Sequence, residues 1–578
     1  MRSKILIALV FIFCASCLSC QTVHNDSIEK EIRRTMRKRH LPAMAVALVD
    51  DQEILYLGAM GLIDIENDIP ASTRSVFKLW SLAKVFTAIE IFREIEEGLV
   101  DLDAPLTTYL PDFRIQSRFE ENEDICIREI LAHRAGLPRH EGLLPVGIER
   151  EDLNYIEPFE LGAWNTYRVY PVAHRYKYSN LGYDLLGRLI EQNRQEGFFK
   201  HMKLDVLNDL GMSNSSFYSG GIDSTLARAL GYGYHQRKYH SYIQYDINNF
   251  PSGNLYSTIE DLAVFLQAVF RNDLFEKEET LSGMLVDHYS RPEDPETMGL
   301  GWKLATFDDQ EPLIWHDGGP SEGIGSLIAF LPERKMGIAV IGNGTEFAGY
   351  YSLTFAMEIL SQAIEEKTGI EFREADKAVG IEVEPQLLKK VEGKYAAFGT
   401  VMEVSLKDGK LKASIGGMGM NLLPVNEREF ALTSWMDKMG LTRIINAPAD
   451  LSKIRVSFMG TGTAEARMIL NFNNISHEIC PKYPVQSRIP ESWKSLAGSY
   501  ERAELLPGKI VGAGGGGVME IKIRDDYLDM SAPYGPIIPS NDTSILILSG
   551  AYAGEVMEYA PELGAILHQK TVFLPAGK

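Results

Sequence analysis

The hydrophobic positions of the chain follow two regimes, and the change falls at about residue 383. In the first, apolar runs of strand length alternate with stretches of helical period. Ala43–Asp50 (AMAVALVD) and 53–61 (EILYLGAMG) predict the two strands of a hairpin. Residues 82–98 (LAKVFTAIEIFREIEEG) place apolar side chains at helical spacing and end on a glycine, which predicts a glycine-capped helix. Residues 258–270 (TIEDLAVFLQAVF) predict a second amphipathic helix, with Ser257 or Thr258 as N-cap. The apolar runs 326–331 and 336–342 are split by PERK, a hairpin signal, and 353–369 predicts a closing helix. Together these elements predict one mixed α/β domain over 27–375.

Beyond 383 the runs become short and alternating, with turn residues between them, which predicts all-β structure. A repeat is visible there. Residues 391–395 (VEGKY) parallel 496–500 (LAGSY), and 401–414 (VMEVSLKDGKLKAS) parallel 518–531 (VMEIKIRDDYLDMS). Two copies are too few for a solenoid, so two small β-barrels or sandwiches are expected, at 383–480 and 486–578. Tyr500 to Val518 is 18 residues and Tyr395 to Val401 is 6, a surplus of 12 in the second copy. The surplus covers 504–517 (ELLPGKIVGAGGGG), expected to be a long, glycine-rich hairpin insertion. No Lys-Ser/Thr follows the glycines, so they are not a phosphate cradle.

Composition sharpens the picture only in places. The chain has 578 residues, enough for several domains, and its 45% hydrophobic content supports a core without disulfides or metals. A net charge of −21 argues against nucleic acid as a partner. Arg2 and Lys4 precede an apolar run over 5–13, then Cys14, Cys17 and Cys20 among small residues. This pattern predicts an export signal over 1–20, too short for a stable transmembrane helix. CASCLSCQ is similar to a bacterial lipoprotein processing site, so Cys20 or Cys17 is the expected lipidated residue. The expected location is the periplasm or cell envelope, with membrane attachment through that lipid. Cys126 and Cys480 fall in different expected domains and are read as free, buried thiols. Neither stands beside a histidine at ligand spacing, so no metal and no cofactor are expected.

Three short motifs carry candidate chemistry. In Ser81-Leu82-Ala83-Lys84, at an expected helix start, the spacing of three puts the lysine amine beside the serine hydroxyl. An unassisted serine is a weak nucleophile and needs such a base. Tyr178-Ser179-Asn180 offers a phenol whose pKa a nearby lysine cation would lower, and an amide able to bind a carbonyl and order the lysine. His316-Asp317-Gly318-Gly319 precedes an apolar strand, and its glycines let a substrate approach the backbone. The Gly319 and Ser81 amides would form an oxyanion hole. Trp80 is read as a core residue, and His133 and His140 as structural.

At these residues the chain resembles the serine β-lactamase-like family of class C β-lactamases, D-aminopeptidases, D-alanyl-D-alanine carboxypeptidases and esterases. The resemblance extends over 75–113, 127–140 (IREILAHRAGLPRH), 253–266 (GNLYSTIEDLAVFL) and GLGW at 299–302. It implies an α+β fold: an antiparallel sheet flanked by helices, with an inserted helical subdomain. The two C-terminal barrels resemble the lipocalin-like pair of some D-aminopeptidase-like members. The resemblance also implies roles. Ser81 would form the acyl-enzyme, and Lys84 and Tyr178 would share base and proton relay. Asn180, His316 and Gly318 would hold the substrate, a small molecule or short peptide. Typical β-lactamases carry Lys-Thr-Gly or Lys-Ser-Gly where this chain has His316-Asp317-Gly318, and histidine offers less assured positive charge. The expected activity is therefore hydrolysis of a small amide, D-aminoacyl peptide or ester. The alternatives are a β-lactamase and a catalytically silent penicillin-binding-like sensor.

Overall fold

The computed structural model describes residues within 25–575. Outside the description lie residues 1–24 and 576–578, the stretches 140–144, 147–166, 290–296, 371–379, 434–453 and 483–493, and shorter runs between. The expectations for the export signal, Cys17, Cys20 and His140 therefore lie outside the described residues.

Seven antiparallel strands form the central sheet. Their order is Lys303–Phe307, Glu311–Gly318, Gly325–Leu331, Met336–Gly342, Ala43–Asp50, Ile54–Asp64 and Ile69–Pro70. Ala43–Asp50 is buried throughout, as a strand covered on both faces must be. Its side chains alternate between two cores. Met44, Val46 and Leu48 pack with Ile28 and Ile32 of helix Asn25–Arg39 and with Phe355 and Leu360 of helix Tyr350–Thr368. Ala45, Ala47 and Val49 face the other core, built with helices Ala83–Glu96, Asn180–Arg194 and Ile259–Arg271.

Helix Ala83–Glu96 is buried at 11 of its 14 positions, as a helix apolar almost all round requires. It begins two residues after Ser81, so the expected helix start at Ser81 is replaced by a turn. There the Leu82 amide donates to Leu79 O at 3.3 Å and the Lys84 amide to Ser81 O at 3.1 Å. Gly98, at φ +75°, closes the far end as the sequence implied. This helix carries Glu90 and Glu94 into the core, where Arg194 meets them at 2.7 and 3.1 Å and His201 meets Glu90 at 2.6 Å. Buried carboxylates require such partners. For Ile259–Arg271 the cap is Thr258, whose hydroxyl accepts from the Asp261 amide at 3.1 Å.

Two barrels follow. The first is an eight-stranded meander from Gly393–Ala397 to Ile475–Pro481, nearly closed by a bridge between Tyr395 and Lys482. In the second, Gly498–Leu506 pairs with both Met519–Ile523 and Thr571–Pro575, which closes the barrel. The repeat is structural. Tyr395 pairs with Met402 and Tyr500 with Met519, separations of 7 and 19 that differ by the 12 extra residues. Each tyrosine hydroxyl donates to the carbonyl four residues earlier, Val391 or Leu496, at 2.8 Å. The extra residues build a hairpin, Gly498–Leu506 with Lys509–Gly512. Its glycine run, 513–517, lies outside the described residues.

Candidate active site

Strand Phe77–Trp80 leads into Ser81. It pairs with Leu255–Ser257 through a bulge between Lys78 and Trp80. A bulge bends its strand and re-aims the residues beyond it. Trp80 has φ +52°, a left-handed conformation that burdens a bulky side chain by about 1–3 kcal/mol. Packing holds it there: Trp80 is buried, and the Lys78 ammonium sits 3.9 Å from its ring centroid. The strained residue directly precedes Ser81, so Trp80 shapes the turn as well as filling the core.

Strand Glu311–Gly318 abuts the same turn. Ser326, paired with Gly318, donates from Oγ to Leu79 O at 2.9 Å. A Cβ on Gly318 would lie 1.9 Å from Leu79 O, so only glycine permits this approach. Gly319 has φ +100°, and a Cβ there would lie 2.2 Å from Ile324 O. Alternation along the strand puts His316 and Gly318 on the same face as Ile314, the face that packs against the core of helix Ala83–Glu96.

The first two motifs converge on one oxygen. Ser81 Oγ accepts from Tyr178 OH at 2.7 Å and lies 3.2 Å from Lys84 Nζ. Lys84 Nζ donates to Asn180 Oδ1 and to the Ser252 carbonyl, each at 2.6 Å. The amide oxygen and the carbonyl accept both N–H groups of a neutral amine, which leaves its lone pair to face Ser81 Oγ. Ser252 escaped sequence reasoning because a backbone carbonyl has no side-chain signature. Ser179 caps helix Asn180–Arg194: its Oγ accepts from the Gly182 amide at 3.0 Å and donates to Pro138 O at 2.6 Å. The cap sets Tyr178 and Asn180 on either side of it. His133 packs against Tyr178, with centroids 4.5 Å apart and the rings tilted by 38°, and its Nδ1 accepts from the Ser179 amide at 3.1 Å.

Electrostatics assign the protons. Burial drives the Lys84 pKa well below the ordinary lysine value; Asp184 opposes this, and the Arg139 and Lys303 charges add to it. Burial also raises the Tyr178 pKa above the ordinary phenol value. The expectation of a lowered tyrosine pKa is thus reversed. Desolvation outweighs a lysine that is itself driven toward neutrality. His316 is pushed down to about 3, first by burial and then by the Lys303 charge. Its Nδ1 lies 2.8 Å from Asp317 O, and a carbonyl only accepts, so Nδ1 carries the proton. Nε2 is then a bare acceptor, and it is buried without a hydrogen-bond partner among the described residues. Lys303, from the adjacent strand, ion-pairs with Asp317 at 2.5 Å; sequence reasoning missed it. Cys126 is a half-buried free thiol pushed up to about 11, first by burial, and thus poorly suited to be a nucleophile.

The family model described as Beta-lactamase matches residues 28–356, more than half of the chain. The protein belongs to the beta-lactamase family, whose members are generally serine hydrolases. It is similar to Beta-lactamase-like protein 2 of Dictyostelium discoideum, 25% identical over 54% of this chain and 58% of that protein's length. It is also similar to Penicillin-binding protein 4* of Bacillus subtilis (strain 168), 24% identical over 69% of this chain and 89% of that protein. Among solved structures, that of SurE with D-Leu shares the fold with a TM-score of 0.53. The two are 19% identical, covering 79% of this chain and 99% of the other.

Proposed function

We propose that the protein is a serine hydrolase that forms an acyl-enzyme at Ser81 and hydrolyses a small amide, D-aminoacyl peptide or ester. The observation that carries this is the double contact on Ser81 Oγ, from Lys84 Nζ at 3.2 Å and Tyr178 OH at 2.7 Å. Lys84, neutral by desolvation, accepts the Ser81 proton as Oγ bonds to the acyl carbon. Tyr178 keeps its proton at neutral pH and delivers it to the departing amine or alkoxide, and the proton on Lys84 replaces it. Water then attacks the acyl carbon, gives a proton back through the same pair, and Ser81 Oγ leaves. The Ser81 and Gly319 amides stabilise the oxyanion.

His316 supports the choice of substrate. Neutral His316 places no positive charge beside the Ser81 turn, and its buried Nε2 accepts but does not donate. It offers nothing to the carboxylate of a β-lactam. The name SurE with D-Leu, attached to a structure of the same fold, points to the same D-aminoacyl class. The export and lipidation pattern at 1–20 makes the cell envelope the proposed location.

The test is covalent labelling of the purified protein by a fluorophosphonate probe, read by intact mass. One adduct, lost in Ser81→Ala, is expected. Folded protein that takes no adduct would favour the penicillin-binding-like sensor instead.

A further inference from the structure

The turn over 552–555 of the second barrel contacts the segment that carries Tyr178. Lys177, which directly precedes Tyr178, donates from Nζ to Ala553 O at 2.9 Å and pairs with Glu555 at 3.4 Å. Glu555 Oε1 also accepts from the Arg139 backbone amide at 2.9 Å. The Arg139 carbonyl in turn accepts from the amides of Asn180 and Leu181, at 2.8 and 3.3 Å. Glu555 Oε2 is held by His568 of the same barrel at 3.0 Å. Both flanks of Tyr178 are thus tied, one directly and one through Arg139, to a single carboxylate from another domain.

The contact is built, not incidental. Glu555 is only 3% exposed. Gly554 has φ +83°, and a Cβ there would lie 2.6 Å from a Val169 methyl and 2.9 Å from the Tyr170 hydroxyl, so glycine lets the turn seat closely. Nearby, Tyr167 donates to Glu558 at 3.1 Å. A buried carboxylate is costly unless paired, and this one meets two cationic or proton-bearing side chains and an amide.

We infer that Glu555 is a positioning residue for Tyr178, and that the second barrel is part of the catalytic unit. Tyr178 reaches Ser81 at 2.7 Å through a loop with one end on Lys177 and the other on Asn180. A displacement of that loop by about 1 Å lowers proton transfer by about 100-fold. The catalytic half rests on the proposed function; the clamp itself does not.

The experiment uses the full chain with Glu555→Gln and two readouts. One is the fluorophosphonate labelling rate of Ser81. The other is hydrogen exchange of the peptide spanning 177–181, followed by mass spectrometry. The amide removes the charge and turns a donor toward Lys177 or His568. Labelling slowed about 10- to 100-fold, with the Asn180 and Leu181 amides exchanging at least about tenfold faster and the melting temperature little changed, supports the clamp. Wild-type labelling together with wild-type exchange overturns it. Wild-type protein that never labels, with exchange still accelerated in Glu555→Gln, discards the hydrolase reading and keeps the clamp. Where Glu555→Gln does not fold, the double variant Lys177→Met with Glu555→Met removes both charges without leaving either unpaired, and the same two readouts decide.

Discussion

Replacing Gly318 by alanine isolates the contact between the sheet edge and the Ser81 turn. Gly318 is not in a left-handed conformation, so alanine brings no backbone penalty; the whole effect is collision. The new Cβ would stand 1.9 Å from Leu79 O and 2.7 Å from Ser326 Oγ, the hydroxyl that itself holds Leu79. Ordinary contact begins near 3.4 Å, so strand and turn must part by about 1.5 Å. A backbone carbonyl cannot swing aside as a side-chain tip does. Overpacking of this kind costs about 1–3 kcal/mol of stability, a few degrees of melting temperature. The effect on rate is larger, because Leu79 lies two residues before Ser81 and a displacement near 1 Å lowers reaction about 100-fold. Stopped-time labelling by the fluorophosphonate probe, run beside thermal unfolding, reads both quantities. Gly419→Ala, in a strand of the first barrel with open space around it, is the control and should label at the wild-type rate. Labelling of Gly318→Ala within twofold of wild type would refute the reasoning.

Three further outcomes rest on the same geometry. Because the neutral amine of Lys84 is the reactive form and its pKa is depressed by burial, labelling should fall as pH drops through that depressed value and level off above it. Lys84→Arg, always charged, should label far more slowly and lose this titration, as a rate–pH profile would show. Arg194→Met should strip Glu90 and Glu94 of their shared cation and cost about 3–5 kcal/mol in denaturant unfolding. Burial already raises Glu94 to about 7; an acid raised on folding destabilises as pH rises above its unfolded value, so lowering the pH from about 7 toward 5 should recover part of that loss. Glu555 behaves oppositely. Burial alone would raise its pKa, but Lys177, His568 and the Arg139 amide hold it down to about 2. Its contribution, on the order of 3 kcal/mol at about 1.4 kcal/mol per decade, is complete above about 4.5 and should vanish as pH falls toward 2.

What the sequence could express depended on how far each signal reaches along the chain. Strand Ala43–Asp50 and helix Ala83–Glu96 were legible because their periods are local. Ser81 and Lys84 were legible for the same reason. Tyr178 stands 97 residues from Ser81, a separation that no local period spans. The left-handed Trp80 was hidden, since tryptophan gives no warning of positive φ. The Tyr178 pKa was misjudged because a neighbouring lysine is visible in sequence whereas desolvation is not. Glu555 and Arg139 are 416 residues apart, and nothing local marks either as a partner. The repeat was legible because two copies of one register, Tyr395 with Met402 and Tyr500 with Met519, must carry the same pattern twice.

The central sheet sets an order of assembly. Ala43–Asp50 lies between Ile54–Asp64, its neighbour in sequence, and Met336–Gly342, which is synthesised about 300 residues later. Until that strand emerges, an edge apolar from Ala43 to Val49 has no partner on one side. Each barrel, by contrast, joins strands mostly in the order they are made and closes within about 100 residues. The central sheet is therefore the slower part of the protein to complete, because its middle pairing spans the longest stretch of chain.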